Sequence, residues 1–224
     1  MMDSSELLDR LRRFQPPYTS LCVRYRLWHD RELAQAARTA NGGALPEGVV
    51  RLPPAIDWRE SERLISIWRA KPDLKPNLVR VEYSGGARHG AFGVSVGEDW
   101  WSWQPPRQVR SSDEGRAQTW LGHGVEEFLD PAVLPDALRL QPVGGGIVAG
   151  RRSVVVDAWP AQSPRGVPRF GAFAERYRFE LDAEQAIVLS AHAFIDDQPF
   201  QALDALYMRV DTALDPNLFE FRVP

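Results

Sequence analysis

Alternation of apolar and polar residues dominates the last third of the chain. Between Gly150 and Phe221 one short run of period two follows another: residues 151–159, 175–181, 187–195 and 202–210. A period of two places successive side chains on opposite faces of a strand. Strands that follow each other without intervening helices form an antiparallel meander, and the twist of such a sheet curls it.

The same pattern recurs earlier. In residues 19–28, Leu21, Val23, Tyr25 and Leu27 oppose Arg24 and Arg26. Residues 63–70 and 78–84 read as a hairpin, the second arm setting Val79, Val81 and Tyr83 against Arg80, Glu82 and Ser84. Residues 91–96 and 99–103 pair about Gly97, and 107–112 supply a further edge strand. Leu140 opens a strand that runs into a predicted turn at Gly144-Gly145-Gly146.

Helical spacing is confined to a few stretches. Residues 4–14 place Leu7, Leu8 and Leu11 on one side, with Ser4 or Ser5 as cap and Pro16-Pro17 as stop. Residues 31–38 are rich in helix formers. Residues 124–138 read as two short helices, because Pro131 and Pro135 break the run. Residues 41–57, with Gly42-Gly43, Pro46 and Pro53-Pro54, form a long irregular loop expected to act as a flexible lid. No linker separates two units, so residues 1–224 are expected to form one domain. Many consecutive strands with few helices make it an α+β domain built on a curved antiparallel β-sheet.

Composition narrows the chemistry. Apolar residues make up 44% of the 224 positions, enough for a substantial core. The net charge of −3 argues against a nucleic-acid binder. Lys occurs only at Lys71 and Lys75; the other basic residues are Arg, a skew of genome composition and not of function. Cys22 is the single cysteine, so no disulfide forms within the chain, and its strand supplies no base to activate it. The start of the chain has no signal-peptide pattern and no run is long enough to span a membrane, so the expected location is cytoplasmic.

The short motifs dissolve on inspection. Gly93-Val94-Ser95-Val96-Gly97 matches the G-x-S-x-G elbow of serine hydrolases, but that elbow needs a strand, a tight turn and a helix. Ser95 instead lies inside an alternating strand, which leaves a serine esterase as a remote alternative. The Gly144–Gly150 run lacks the Lys-Ser/Thr end of a phosphate loop. His29, His89, His123 and His192 do not share metal-ligand spacing, and no cofactor motif is present. The adjacent acids Glu126-Glu127 and Asp196-Asp197 point apart, and Asp196-Asp197-Gln198-Pro199 reads as a hairpin turn. The odd feature is Trp100-Trp101-Ser102-Trp103, in a chain with eight Trp. Trp101 and Trp103 share one face of a strand and Trp100 takes the other.

The order of these motifs is informative. Val79-Arg80-Val81-Glu82-Tyr83 precedes Gly97-Glu98-Asp99-Trp100-Trp101-Ser102-Trp103-Gln104-Pro105. Then come Val148-Ala149-Gly150-Arg151-Arg152, Phe179-Glu180-Leu181-Asp182, Ile187-Val188-Leu189, Asp197-Gln198-Pro199 and a closing Phe219-Glu220-Phe221. Over most of residues 60–224 this order resembles the LolA/LolB-like lipoprotein-carrier and RseB-like superfamily, actinobacterial type. Ala186 stands where that pattern usually has Gly.

The resemblance implies a half-open barrel whose concave face is plugged by short helices, leaving an apolar cavity. It further implies a non-enzymatic protein that binds a lipid, an acyl chain or another hydrophobic small molecule there. On that reading Trp28, Trp68, Trp101, Trp103, Trp159 and Phe194 are the candidate wall of the cavity. Burial of acyl methylenes against such a wall contributes about 0.8 kcal/mol each. The alternative is a protein-interaction or regulatory module of the same fold without a small ligand.

Overall fold

The computed structural model describes residues 3–15, 17–40, 60–68, 78–85, 89–97, 99–104, 107–111, 129, 131–161 and 170–221. Eleven strands form one antiparallel sheet, in the order β6-β5-β4-β3-β2-β1-β11-β10-β9-β8-β7. The strands are β1 (Ser20–His29), β2 (Glu60–Trp68), β3 (Leu78–Ser84), β4 (Phe92–Val96), β5 (Asp99–Gln104) and β6 (Arg107–Ser111). They continue with β7 (Leu138–Val148), β8 (Arg151–Pro160), β9 (Arg176–Asp182), β10 (Val188–Ile195) and β11 (Gln198–Val210). Among the described residues the helices are α1 (Ser4–Arg12), α2 (Arg31–Ala40) and the single turn α3 (Leu134–Ala137), with 3-10 turns at Pro131–Val133 and Pro216–Phe219. The sheet curves without closing: a half-open α+β barrel, with the meander placed as the alternation predicts.

Cross-strand register sorts the side chains into two layers. On the inner face lie Leu21, Val23, Tyr25 and Leu27 of β1, Val81 and Tyr83 of β3, and Tyr177, Phe179 and Leu181 of β9, all buried. Leu7 and Leu11 of α1, with Leu129, Leu134 and Phe170, belong to the same apolar core. Four residues apart on a helix, Leu7 and Leu11 share a face. Tyr25 donates its hydroxyl hydrogen to the Val188 carbonyl at 2.8 Å, so β1 is tied to β10 within this layer.

Several local details differ from the sequence reading. Asp3 caps α1, with its carboxylate accepting from the Glu6 N–H at 2.8 Å and from the Ser5 hydroxyl at 2.7 Å. Ser4 is already helical. A cap has to precede the first helical residue in extended backbone, which Asp3 does. Asp30 serves α2 in the same way, accepting from the N–H groups of Glu32 and Leu33.

The triple glycine is not a turn. It lies within β7, after a bulge at Pro142/Gly144, and the turn is Ala149-Gly150, both at positive φ. A Cβ on Gly146 would lie 2.6 Å from Glu180 Oε2 and 3.0 Å from Ser153 Oγ, so this hydrogen-bonded pair would have to shift to admit a side chain. Asp196 and Asp197 do form a turn, with φ of 47° and 59°, the left-handed pair that matches strand twist in a tight hairpin.

The expected lid, residues 41–57, lies outside the described residues. Of the expected central plug, 124–138, Leu129 and residues 131–138 are described, and Leu129, Pro131, Leu134, Ala137 and Leu138 are buried. No helix among the described residues is long and apolar enough to cross a membrane.

Candidate binding surface

The outer face of the sheet carries a second apolar cluster, separate from the core. Phe92 and Val94 of β4 stand opposite Trp103 and Trp101 of β5. On the other side they pair with Glu82 and Arg80 of β3. Phe92 and Val94 are 5% and 1% exposed although they point away from the barrel interior. What buries them is the end of the chain: Leu214, Leu218, Phe219 and Phe221 pack in the same cluster.

The sequence after β11 explains this path. Asp211, at φ 52°, turns the chain out of the sheet. Its Oδ1 accepts from the Thr19 N–H at 2.8 Å and the Thr19 hydroxyl at 3.0 Å, while Ser20 Oγ donates to the Thr212 carbonyl at 2.7 Å. Burial pulls the Asp211 carboxyl upward, but the hydrogen bonds from Thr19 and Ser20 outweigh it and hold the group below its ordinary value.

Asp215 then caps the Pro216–Phe219 turn through the Asn217 N–H at 2.9 Å. Pro216 suits this place because the first residue of a helical turn has no use for its N–H. Arg80 lies with its guanidinium carbon 4.6 Å from the Phe92 ring centroid and donates to the Leu218 carbonyl at 3.0 Å. Phe221 sits 5.5 Å from Phe92 and 6.4 Å from Trp101, stacked on the latter at 25°.

Farther along the outer face lies a polar group. Asp204 Oδ1 accepts from the Ser190 hydroxyl at 2.9 Å and lies 3.0 Å from His192 Nε2. Partial burial raises the Asp204 carboxyl, but His192 and Ser190, with the charge of Arg26, bring it net below its ordinary value. Ser, His and Asp are together here, yet they do not form a relay. A hydrolase uses one imidazole nitrogen for the acid and the other for the nucleophile. Here Nε2 faces both partners, and Ser190 gives its proton to the carboxylate. Asp157 receives Arg178 at 2.7 and 3.1 Å beside this group, with Arg176 at 3.9 Å.

The five candidate wall residues whose side chains are described do not form one wall. Trp101 and Trp103 are half-buried in the outer cluster with the chain end. Trp28 is 37% exposed, on the face opposite Leu27. Phe194 lies on the outer face, 4.1 Å beneath Arg176, and Trp159 lies 5.1 Å from Arg139. Trp68 pairs through its backbone with Ser20 and Leu78, and its side chain is outside the described residues.

Residues that the sequence reading did not assign to a site are Phe92, Val94, Arg80 and Leu218. Their signal was the Leu-Phe-x-Phe run after the last strand, which is apolar without belonging to any strand or helix. Ser95 lies mid-strand between Val79 and Trp100, so no nucleophile elbow is formed. Among the described residues no group of three or more His, Cys, Asp or Glu is placed to hold a metal ion. Cys22 is half-buried between Ser66 and Tyr207, with its sulfur 3.8 Å from each hydroxyl.

No family model matches the sequence, and no curated protein matches it. Among solved structures, MucB superposes with a TM-score of 0.57 at 16% identity, over 98% of this chain and 62% of that one. The Pseudomonas aeruginosa MucA/MucB complex gives 0.56 at 18% identity, over 97% and 60%. An uncharacterized conserved protein from Thermus thermophilus gives 0.50 at 12% identity, over 98% and 94%. The chain thus spans about 60% of the length of MucB. At these identities the likeness is one of fold alone: an antiparallel sheet curved into a half-open barrel.

Proposed function

We propose that this chain is a non-enzymatic binding module whose ligand is an apolar segment of another protein, taken on the outer face of β3–β5. The observation that carries this reading is the strip of Phe92, Val94, Trp101 and Trp103, already occupied by a peptide, residues 214–221. A strip that accepts Leu and Phe side chains with a main-chain carbonyl on Arg80 has the attributes of a peptide site: aromatic anchors, an apolar centre and one placed polar group.

The solved complex of MucB with MucA adds support, since that protein of like fold binds a protein partner. The described inner face favours the same choice over a lipid ligand. Tyr25, Tyr177, Phe179 and Leu203 are 0–1% exposed there among neighbours from the chain itself.

The test is selection of a random peptide library, about 8 residues long to match the segment 214–221 that occupies the strip, on the purified chain. The selection is repeated on a Trp101→Ala/Trp103→Ala variant. Enrichment of peptides with spaced Leu and Phe on the unmodified chain alone supports the reading. Organic extraction of natively purified protein, followed by mass spectrometry, is the second arm. A stoichiometric acyl lipid with no selected peptides would replace this reading by that of an acyl carrier.

A further inference from the structure

The occupied strip carries information about regulation as well as about binding. The apolar cluster under the chain end is separate from the main core, and among the described residues its buried members are Phe92, Val94 and Phe219. A satellite cluster opens at lower cost than the core it sits beside. The segment has local order of its own where it is docked, through Asp215 and the turn it caps. It also has a fixed hinge: the Asp211 clamp on Thr19 and Ser20 lies upstream of every apolar contact that the segment makes on β3–β5.

We infer that residues 214–221 are a tethered, displaceable occupant of the β3–β5 strip, and that their chemistry is a copy of the partner's. This rests on the peptide-binding reading above and adds the regulation of that site and the kind of segment it takes. The partner segment presents Leu and two Phe in the spacing of Leu218, Phe219 and Phe221, with carboxylates beside them as at Asp215 and Glu220. It offers a main-chain carbonyl to Arg80. A tether of a few residues holds the occupant at an effective concentration in the millimolar range. A free segment of similar intrinsic affinity therefore binds the closed chain weakly, and a better one opens it.

The experiment uses a fluorescein-labelled peptide of residues 211–221, titrated into the full chain and followed by anisotropy. The Phe219→Ala/Phe221→Ala chain, with its own occupant weakened, is expected to bind the peptide at least about 10-fold more tightly than the unmodified chain. Adding Trp101→Ala is expected to abolish that gain. Hydrogen exchange on the unmodified chain is the second measurement, independent of whether the variants fold. The amides of Leu218 and Glu220 are expected to exchange well before those of β9–β11.

Equal peptide affinity for closed and weakened chains overturns the inference, as does exchange of the Leu218 and Glu220 amides only on global unfolding. If library peptides still bind in a Trp101-dependent way in that case, the binding reading stands and only the regulation falls. If library peptides do not bind either, both fall.

Discussion

Asp182 is the residue whose removal has the most direct consequence for the sheet. It ends β9, its side chain is 1% exposed, and it accepts four hydrogen bonds from three residues. Its Oδ1 accepts from the N–H groups of Glu184 at 2.9 Å and Gln185 at 2.7 Å, which shapes the turn into β10. Arg151, at the start of β8, donates to both of its oxygens. Asp182→Ala deletes both main-chain bonds, at about 1 kcal/mol each. It also leaves the Arg151 guanidinium without its main partner. A fully buried pair broken in this way costs about 3–5 kcal/mol, but Arg151 is 25% exposed and water takes over part of the loss, which leaves about 1–2 kcal/mol.

The sum is about 3–4 kcal/mol, or a fall in Tm of roughly 6–15 °C for a chain of this size. Urea unfolding followed by tryptophan fluorescence reads the first number and calorimetry the second. Asp182→Asn keeps one carbonyl oxygen for the two N–H groups, so it is expected to cost about half as much. A double-mutant cycle with Arg151→Leu is expected to show a coupling of about 1–2 kcal/mol. A loss below about 1 kcal/mol for Asp182→Ala, or strict additivity with Arg151→Leu, would refute the account of this turn as an electrostatic clamp.

Three further outcomes are expected. Gly171 has φ 60°, and a Cβ there would lie 2.3 Å from Ala193 Cβ, so Gly171→Ala should cost about 2–4 kcal/mol in chemical denaturation through left-handed strain and overpacking. Tyr25→Phe removes the donor to the Val188 carbonyl and should lower stability by about 1–2 kcal/mol; its phenol is held neutral by burial, so the loss should not vary between about pH 5 and 9. Asp204 is depressed in the folded state, so its contribution is present above its unfolded value of about 3.9 and lost as pH falls through the lower folded value. Asp204→Asn should therefore be destabilising at about pH 7, and the gap to the unmodified chain should close in acid unfolding curves taken below about pH 4.

The strands were legible because period two is a local property. Val79, Val81 and Tyr83 alternate with Arg80 and Glu82 whatever the rest of the chain does, and β3 is where they were read. Positions 210–221 were legible only as a remainder: Phe219 and Phe221 were seen as a closing motif, with nothing local to say what they touch. The triple glycine misled for a related reason. Glycine marks a turn or a close approach equally well, and only the neighbouring strands show that Glu180 and Ser153 come close to Gly146.

By itself, then, the sequence determined which side chains share a face, where most of the strands lie and that the domain is an antiparallel curved sheet with few helices. The tertiary structure decided which of the two faces is the interior. Alternation is symmetric: Trp101 and Trp103 obey the same period pointing into the barrel or out of it. The choice is made by which face finds more apolar surface to cover it. For β1 that cover is Leu7, Leu11 and the core around them, which puts Leu27 inside and Trp28 outside. For β4 and β5 the chain end covers the opposite face, and so the tryptophans meet Phe221 there in place of a cavity.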